Sequence, residues 1–372
     1  MRLKRRIYSL KVLRFVFKTD TDYISRFKSE GMETQLKRDH SIDLMRFIGL
    51  TMIVLAHIGL SRESYLFQLR SFDVPLMIFT SGLAFSGKTI GKYLPFVCKR
   101  SLRLVVPIYI FVAVYGALNP WLSSIGLAPE YPADWIAGSF LLRLKPSIGY
   151  VWIIRVFLIV MLMTPLLLKV ENKVKKGWCI YLIAGAMLFI QNCLSEGLYD
   201  MRQTLVVGDW LLYVFGYPAI FLIGLRFRKA PVKERAFLLA IMVCVMVFLG
   251  LEVSAESGTW LCFQPFKYPP HAYFLLWGAT VSVALWMTSR WWTPVLDNRL
   301  FTFIGRNTIW IYIWHIPFVN MVVSGPFSGW DNIFKYLFVY GMALCVYGLQ
   351  YKLVKLADKR WPGNKVTKYF IG

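Results

Sequence analysis

Apolar segments recur along almost the whole chain and are separated by short polar connections. They cover approximately 42–60, 72–86, 102–118, 149–168, 178–194, 209–225, 236–251, 271–288, 300–323 and 333–351. A helix needs roughly 20 predominantly apolar residues to cross the hydrocarbon core of a bilayer, and most of the segments approach this length. Segment 72–86 is short and contains Pro75 and Gly82. The pattern predicts an all-α integral membrane protein with about ten transmembrane helices.

The composition agrees with this class. Hydrophobic residues make up 57% of the 372 residues, and the mean hydropathy is +0.52. Ordinary soluble domains are less apolar, so the composition argues against a soluble protein. No internal repeat and no appendage longer than a loop is evident. We therefore expect one membrane domain over 41–352, preceded by a basic cytoplasmic segment at 1–40 and followed by a basic cytoplasmic tail at 353–372.

The formal net charge is +23, and the cations are concentrated in alternate connections. One set of connections holds Lys88, Lys92, Lys99, Arg100, Arg103, Lys169, Lys173, Lys175, Lys176, Arg226, Arg228, Lys229, Lys233, Arg235, Arg290 and Arg299. The other set holds only Arg62, Arg70, Arg143, Lys145, Arg202 and Lys267. Cytoplasmic loops of membrane proteins are enriched in Lys and Arg. We therefore predict that the first set and both termini are cytoplasmic, and that the charge reflects membrane topology rather than nucleic-acid binding.

The N-terminal segment is basic and contains the stretch RLKRRIYSLKVLRFVFK. It lacks the uninterrupted apolar core and the small-residue cleavage site of a signal peptide. An amphipathic helix at the membrane surface is one interpretation. Met32 lies shortly before the first apolar segment, and we hypothesise that it is the native start.

Three ionisable side chains lie on the first apolar segment, where each is costly in lipid. Eleven positions separate Arg46 from His57, which corresponds to about three helical turns and about 16 Å of rise, so the two side chains share one helix face. Asp43 precedes Arg46 by three positions and can pair with it. Intramembrane ionisable groups usually face a protein interior or a wet cavity and are functional. The alternative is that Asp43 and Arg46 anchor the helix at the interface and that His57 is a packing residue.

A second group of cations lies at the start of the third apolar segment. Lys99, Arg100 and Arg103 have helical neighbour spacing and cluster at the predicted cytoplasmic end. Arginine binds phosphate in bidentate fashion, so the cluster suits a nucleotide diphosphate. The alternative is an ordinary cytoplasmic anchor. The six cysteines are scattered singly, so we expect no disulfide framework and no metal site.

Several stretches together resemble one known family. These are IDLMRFIGLTMIVLAHI, FDVPLMIFTSGLAFS, KRSLRLVVP, GYVWIIRVFLIVMLMTPLL, KYPPHAYFLLWG and FIGRNTIWIYIWHIPF. Their order over about 40–350 is similar to that of the bacterial acyltransferase 3 family. Members of this family typically move an acyl group, most often acetyl, from cytoplasmic acyl-CoA to sugar hydroxyls at the outer face of the bacterial inner membrane.

The resemblance implies a role for each matching position. Arg46, Arg100 and Arg103 would hold the CoA phosphates, with Lys99 beside them, and His57 would be the essential imidazole. Ser81, Trp152, Tyr312 and His315 also match recurring positions, which would shape the cavity. An imidazole can accept the proton of an attacking hydroxyl at neutral pH, so His57 suits a general base. An acyl-His57 intermediate is the competing mechanism.

Three further side chains are candidates for supporting roles. Lys267, beside Tyr268, would line the acceptor entrance or anchor the chain at the interface. His315 lies in the outer half of its segment, where it would assist the acceptor side or bond a backbone carbonyl. Arg155 has two interpretations: its side chain extends to the membrane interface, or it pairs with an outer carboxylate. We favour the first.

These observations favour a multi-pass O-acyltransferase of the bacterial inner membrane. It would use acetyl-CoA or another acyl-CoA as donor, need no tightly bound cofactor or metal, and modify a cell-surface or lipid-linked glycan. The alternatives are a transporter, since charged and Pro- or Gly-broken spans also mark translocation paths, and a non-catalytic subunit of a glycan-export system.

Overall fold

The computed structural model describes residues 39–88, 90–258, 262–362 and 366–371. Residues 1–38 of the predicted basic segment, together with the Met32 start hypothesis, lie outside the described residues. Within the described ranges, every regular element is an α-helix or a short 3-10 helix. The predicted all-α fold is therefore confirmed for this part of the chain.

The α-helices follow the predicted apolar segments closely. They are α1 His40–His57, α2 Tyr65–Leu69, α3 Asp73–Phe85, α4 Tyr93–Ser124, α5 Ala133–Phe140, α6 Trp152–Lys173, α7 Gly177–Gly197, α8 Gly216–Phe227, α9 Val232–Ser257, α10 Ala272–Leu296, α11 Arg299–Arg306, α12 Thr308–Val323 and α13 Asn332–Arg360. The predicted segment 300–323 divides into α11 and α12 at Asn307, and α13 continues beyond the predicted domain end at 352.

Six described helices are long and apolar enough to cross a membrane, namely α4, α6, α7, α9, α10 and α13. The other predicted spans correspond to α1, α3, α8 and α12, which have 18, 13, 12 and 16 residues. Apolar helices as short as α3 and α8 are more typical of a buried core than of a complete crossing. The described residues thus provide six helices that can cross a membrane, and the count of ten spans stays a prediction.

Helices α3 and α8 form the centre of the bundle and cross at two glycines. A Cβ atom added at Gly82 would collide with the backbone of Phe221, and one added at Gly224 would collide with the backbone of Phe79. Small residues allow helix backbones to approach closely within a membrane. The same crossing is extended at one end, where the Ser86 hydroxyl donates to the Leu225 carbonyl at 2.8 Å.

Helix α1 is enclosed by other helices. Beyond His40, each of its residues is buried or half-buried, and it packs against α3, α10, α11 and α12. The helix is therefore surrounded by other helices on most sides, and its side chains Asp43, Arg46 and His57 are buried or half-buried. This is the placement that the ionisable stripe on the first segment predicts.

The outer helices of the bundle are apolar on their exposed faces. On α9, for example, Phe237 is 69% exposed and Phe248 is 59% exposed. Soluble proteins rarely leave apolar surface of this extent open to water. Lipid is the natural solvent for α9 and for the similar faces of α7 and α13.

Connections that the charge pattern assigns to one side meet in the structure. Lys229 contacts Glu171 at 3.0 Å, and Arg228 donates to the Leu83 carbonyl at 3.1 Å. Lys229, Glu171 and Arg228 belong to connections predicted to be cytoplasmic, and Leu83 lies near the predicted cytoplasmic end of segment 72–86. At the opposite end, the Gln68 side chain accepts from the backbone N–H of Phe263 at 2.8 Å, which joins two connections predicted to be outside. The alternation of the loops therefore agrees with the packing.

We expect Gly82→Ala to destabilise the protein, because the added methyl group must force α3 and α8 apart. Overpacking of this kind costs roughly 1–3 kcal/mol. Thermal unfolding in detergent measures the effect. Gly185→Ala on α7 is the matched control, since no atom lies within 4 Å of a Cβ added there. Equal melting temperatures for the two variants would show that the glycine contact is not required.

Candidate active site

His57 is the last residue of α1, and its ring pairs with a histidine from another helix. Gly59 follows with a φ of +88°, a backbone conformation that favours glycine and turns the chain away from the helix axis. The Nδ1 atom of His57 lies 2.9 Å from Nε2 of His315, which is completely buried on α12. His57 itself is only half-buried. One imidazole of the pair is therefore accessible, and the other supports it from behind.

The hydrogen bonds of the pair determine which nitrogen of His57 is free. Nδ1 of His315 contacts the backbone carbonyl of Tyr312. A carbonyl only accepts, so this nitrogen carries a proton, and in a neutral ring Nε2 of His315 is then an acceptor. It accepts from Nδ1 of His57. The remaining nitrogen of His57, Nε2, keeps its lone pair and is available as a base or a nucleophile.

Tyr150 and Tyr312 enclose the histidine pair. The Tyr312 hydroxyl donates to the Tyr150 carbonyl, and the Tyr150 ring lies 4.2 Å from the His57 ring between centroids. Tyr150 has a φ of +64°, which is unusual for a bulky side chain. Sequence reasoning missed Tyr150. The only available signal was its position after Gly149, two residues before the candidate Trp152.

A buried ion cluster adjoins the histidines. Asp73 at the start of α3 accepts from Arg70 at 2.7 Å and lies 3.6 Å from the Lys267 ammonium, with all three side chains almost fully buried. The charges of Arg70 and Lys267 are close enough to act on the His57 ring. Burial lowers the pKa of Lys267, in the connection before α10, to about 8, although the Asp73 carboxylate opposes this shift.

Two of the candidate supporting residues pack around this cluster. The Lys267 ammonium lies 5.8 Å from the Trp152 ring centroid and 5.6 Å from that of Tyr268, and the two rings meet edge to face at 5.1 Å. The structure thus brings Trp152, Lys267 and Tyr268 together as one group. Lys267 is buried in an ion pair, whereas an interfacial anchor would extend to water. Arg70 and Asp73 were not singled out from the sequence, although a carboxylate at the start of an apolar segment is a signal for such a cluster.

At the other end of α1, Asp43 is almost fully buried and contacts two arginines. It accepts from Nε of Arg306 at 2.9 Å and lies 3.7 Å from Nη1 of Arg46. The predicted Asp43–Arg46 pair is therefore present, but Arg306 is the closer partner and was not predicted to be one. The Arg46 side chain is 25% exposed. It lies at the end of α1 opposite His57, as the spacing requires.

The cations Lys99, Arg100 and Arg103 lie near the start of α4 and are exposed. The Arg100 guanidinium lies 5.2 Å from the ring centroid of Phe85, at the end of α3. Lys88 approaches the same ring at 5.6 Å. Ser81 is on α3 as well, where its hydroxyl donates to the Met77 carbonyl of the preceding turn at 2.9 Å.

The preferred interpretation of Arg155 is wrong. We expected its side chain to extend to the interface, but it is fully buried and lies 2.5 Å from Asp209 and 2.8 Å from the Leu142 carbonyl. Asp209 also accepts from Arg143 at 3.0 Å. Pairing with an outer carboxylate, the alternative, is what the structure contains. A guanidinium without a partner would carry a large desolvation cost at this depth.

A cleft of about 1170 Å³ opens among the connections predicted to be outside. It is lined by residues of 62–68, 135–146, 202–213 and 262–269. Tyr268 and Tyr213 belong to this lining, and both rings contact Trp152. Trp152 in turn lies two residues after Tyr150, which contacts His57. Ring contacts therefore join the cleft to Trp152, and Tyr150 beside the histidine pair belongs to the same stretch of chain.

Fold and site together define a multi-pass helical membrane protein with an accessible histidine enclosed in its bundle. A sequence model of a protein family, described as an acyltransferase domain, matches residues 39–349. The chain therefore belongs to the acyltransferase 3 family, as its sequence motifs predict, and it is a membrane acyltransferase. Among curated proteins, none matches the chain.

We expect Asp209→Asn to destabilise the protein by roughly 3–5 kcal/mol, because it leaves the buried Arg155 guanidinium without its counter-charge. Thermal unfolding in detergent measures this change. Glu63→Gln removes an exposed carboxylate from the same cleft and should alter stability by less than about 0.5 kcal/mol. Similar losses in the two variants would argue against a stabilising Arg155–Asp209 pair.

Proposed function

We propose that the protein transfers an acyl group, acetyl in particular, from acyl-CoA to a hydroxyl of a cell-surface or lipid-linked glycan. The reaction takes place in the bacterial inner membrane, with both termini cytoplasmic and ten membrane-spanning helices. Acyl-CoA enters as a substrate from the cytoplasm, and no tightly bound cofactor or metal takes part. The glycan approaches from the outer side.

The observation that carries this proposal is the hydrogen-bonded pair of His57 and His315. Transfer from a thioester to an alcohol needs a group that removes the hydroxyl proton during attack. The Tyr312 carbonyl orients His315, and His315 orients His57, so that Nε2 of His57 keeps its lone pair on an accessible ring. A histidine that served packing alone would not need this arrangement.

In the proposed reaction, the glycan oxygen attacks the thioester carbonyl carbon while its proton moves to Nε2 of His57. The tetrahedral intermediate then expels the sulfur, and the C–S bond breaks. The imidazolium returns the proton to the CoA thiolate, which leaves as free thiol. His315 holds the ring in position through Nδ1, and the buried environment excludes bulk water that would hydrolyse the thioester.

The same lone pair also permits a covalent route. Nε2 of His57 would attack the thioester, the C–S bond would break and CoA would leave as the thiolate, and the glycan hydroxyl would then attack the acyl-imidazolium, lose its proton and release His57. This route needs a second base for the glycan proton. The general-base route needs only His57, and we favour it for that reason.

Donor binding is assigned to the cations at the predicted cytoplasmic side. Arg46, Lys99, Arg100 and Arg103 would contact the phosphates of CoA. Lys99, Arg100 and Arg103 are exposed, and Arg46, which also lies near Asp43, is 25% exposed. Arg46 and His57 are separated by about 16 Å along α1. The pantetheine arm is slender enough to bridge this distance while the charged phosphates stay at the surface.

A transporter or an export subunit remains the competing function. Either would carry ionisable residues within its helices. Neither requires an imidazole that is held in one tautomer by a second imidazole. A transporter would also be indifferent to acetyl-CoA.

We expect His57→Ala to lower acyl transfer at least 100-fold, since general acid–base catalysis typically contributes 10²–10⁴-fold. Purified protein, radiolabelled acetyl-CoA and a bacterial surface glycan provide the assay, with labelled ester as the readout. His271→Gln is the matched control, because this imidazole bonds to the Pro269 carbonyl of its own loop. Full activity of folded His57→Ala protein would refute the assignment.

Arg103→Gln should raise the KM for acetyl-CoA about tenfold or more, because a charge-assisted contact to phosphate is lost. The kcat at saturating donor should change little, since Arg103 would contact the phosphates and not the reacting carbonyl. Arg290→Gln, which removes another exposed cation on the predicted cytoplasmic side, is the control. A fall in kcat with an unchanged KM would show that Arg103 does not bind the donor.

A further inference from the structure

Four of the six cations of the predicted outer loops line one cleft. Arg62, Arg143, Lys145 and Arg202 all line the outer cleft. The other two cations of those loops, Arg70 and Lys267, form the buried ion cluster with Asp73. Lys and Arg are disfavoured in outer loops, and yet most of those present line the same cleft.

The cleft retains positive charge after its own ion pairs are formed. Asp209 is the buried carboxylate of the lining, and it is already bound to Arg155 and Arg143. Glu63 is exposed at the rim. Arg62 and Lys145 are exposed, and the half-buried Arg202 lies 3.9 Å from the Tyr199 ring centroid and donates to the Tyr199 carbonyl at 3.0 Å. The cleft is therefore a positive surface on the side of the membrane where positive charge is scarce.

Aromatic side chains give the cleft a second property. Tyr65, Trp135, Tyr213 and Tyr268 belong to its lining. Such rings present apolar faces, which suit the C–H faces of sugar rings, and their polar edges reach water or a hydroxyl. The volume of about 1170 Å³ is larger than a typical small-molecule pocket of roughly 300–1,000 Å³. It therefore has room for more than one sugar ring.

We propose that the acceptor is an anionic glycan, a saccharide that bears carboxylate or phosphate groups, bound in the outer cleft. Arginine forks bind both groups in bidentate fashion, and lysine adds a point charge. This inference rests on the proposed function and specifies its acceptor. The anionic group is held by Arg62, Lys145 and Arg202, while a neighbouring sugar extends past Tyr268 toward His57.

Three probes test the charge preference: trigalacturonate, a phosphorylated trisaccharide and neutral galactotriose. Purified protein is placed in phosphatidylcholine nanodiscs, and both binding and acetyl transfer are measured. We expect at least tenfold tighter binding and at least tenfold higher kcat/KM for one or both anionic probes, with the preference decreasing as salt is added. Equal affinity for the neutral probe and both anionic probes would overturn the inference.

The variants Arg62→Gln, Lys145→Gln and Arg202→Gln should each lower affinity for the preferred anionic probe by about threefold to tenfold and leave galactotriose unaffected. Lys175→Gln, an exposed cation of the predicted cytoplasmic side, is the matched control. Arg143 is not used, because it also holds Asp209. Unchanged affinity in all three cleft variants would contradict the proposal.

Measuring probe binding separately from acetyl transfer distinguishes a failure of this inference from a failure of the proposed function. Selective binding of an anionic probe without acetyl transfer to any acceptor would support the cleft assignment and refute the acyl transfer. Equal acetyl transfer to neutral and anionic probes would support the acyl transfer and refute the preference of the cleft for anionic glycans. A further arm replaces part of the phosphatidylcholine with phosphatidylglycerol. If this lipid displaces the bound trisaccharide, the cleft is a lipid headgroup site and the glycan assignment is wrong.

Discussion

The cost of removing a charge or an imidazole from water governs how this bundle is assembled. A lone charge in the membrane interior is costly, so each buried ionisable group needs a partner or a hydrogen bond. Asp43, Asp73 and Asp209 each meet this requirement with a pair of cations. His57 and His315 meet it with each other and with a backbone carbonyl. Several of these contacts, such as Asp43–Arg306 and His57–His315, connect segments that are distant in sequence and so help to hold them side by side.

Helical periodicity explains why the α1 stripe could be predicted. The spacing of Asp43, Arg46 and His57 places them on one face of a helix. Because charged side chains that face lipid are energetically costly, this face is expected to be covered by protein or to line a wet cavity. The match of residues 39–349 to an acyltransferase domain likewise agrees with motifs that are visible in the sequence. The spacing of residues and the order of the motifs were thus enough to predict the fold class and the position of His57 on the first helix.

Contacts between distant segments were not accessible in the same way. Arg306 is the closer partner of Asp43 although 263 positions separate the two residues, and Asp209 lies 54 positions from Arg155. A single sequence does not show which distant residues are in contact. Arg155 was therefore assigned to the interface from its position near a helix end. Tyr150 was missed for a related reason. Its ring contact with His57 and its positive φ cannot be read from the spacing of residues in the sequence.

The histidine pair and the outer cleft differ in the kind of backbone that supports them. His57 and His315 lie on helices whose packing leaves little freedom, whereas the cleft is assembled from connections between helices. Loops accept substitutions, insertions and deletions far more readily than the elements they join. Descendants of one ancestral gene could therefore diverge in the polymer they decorate while the reactive imidazole is inherited unaltered.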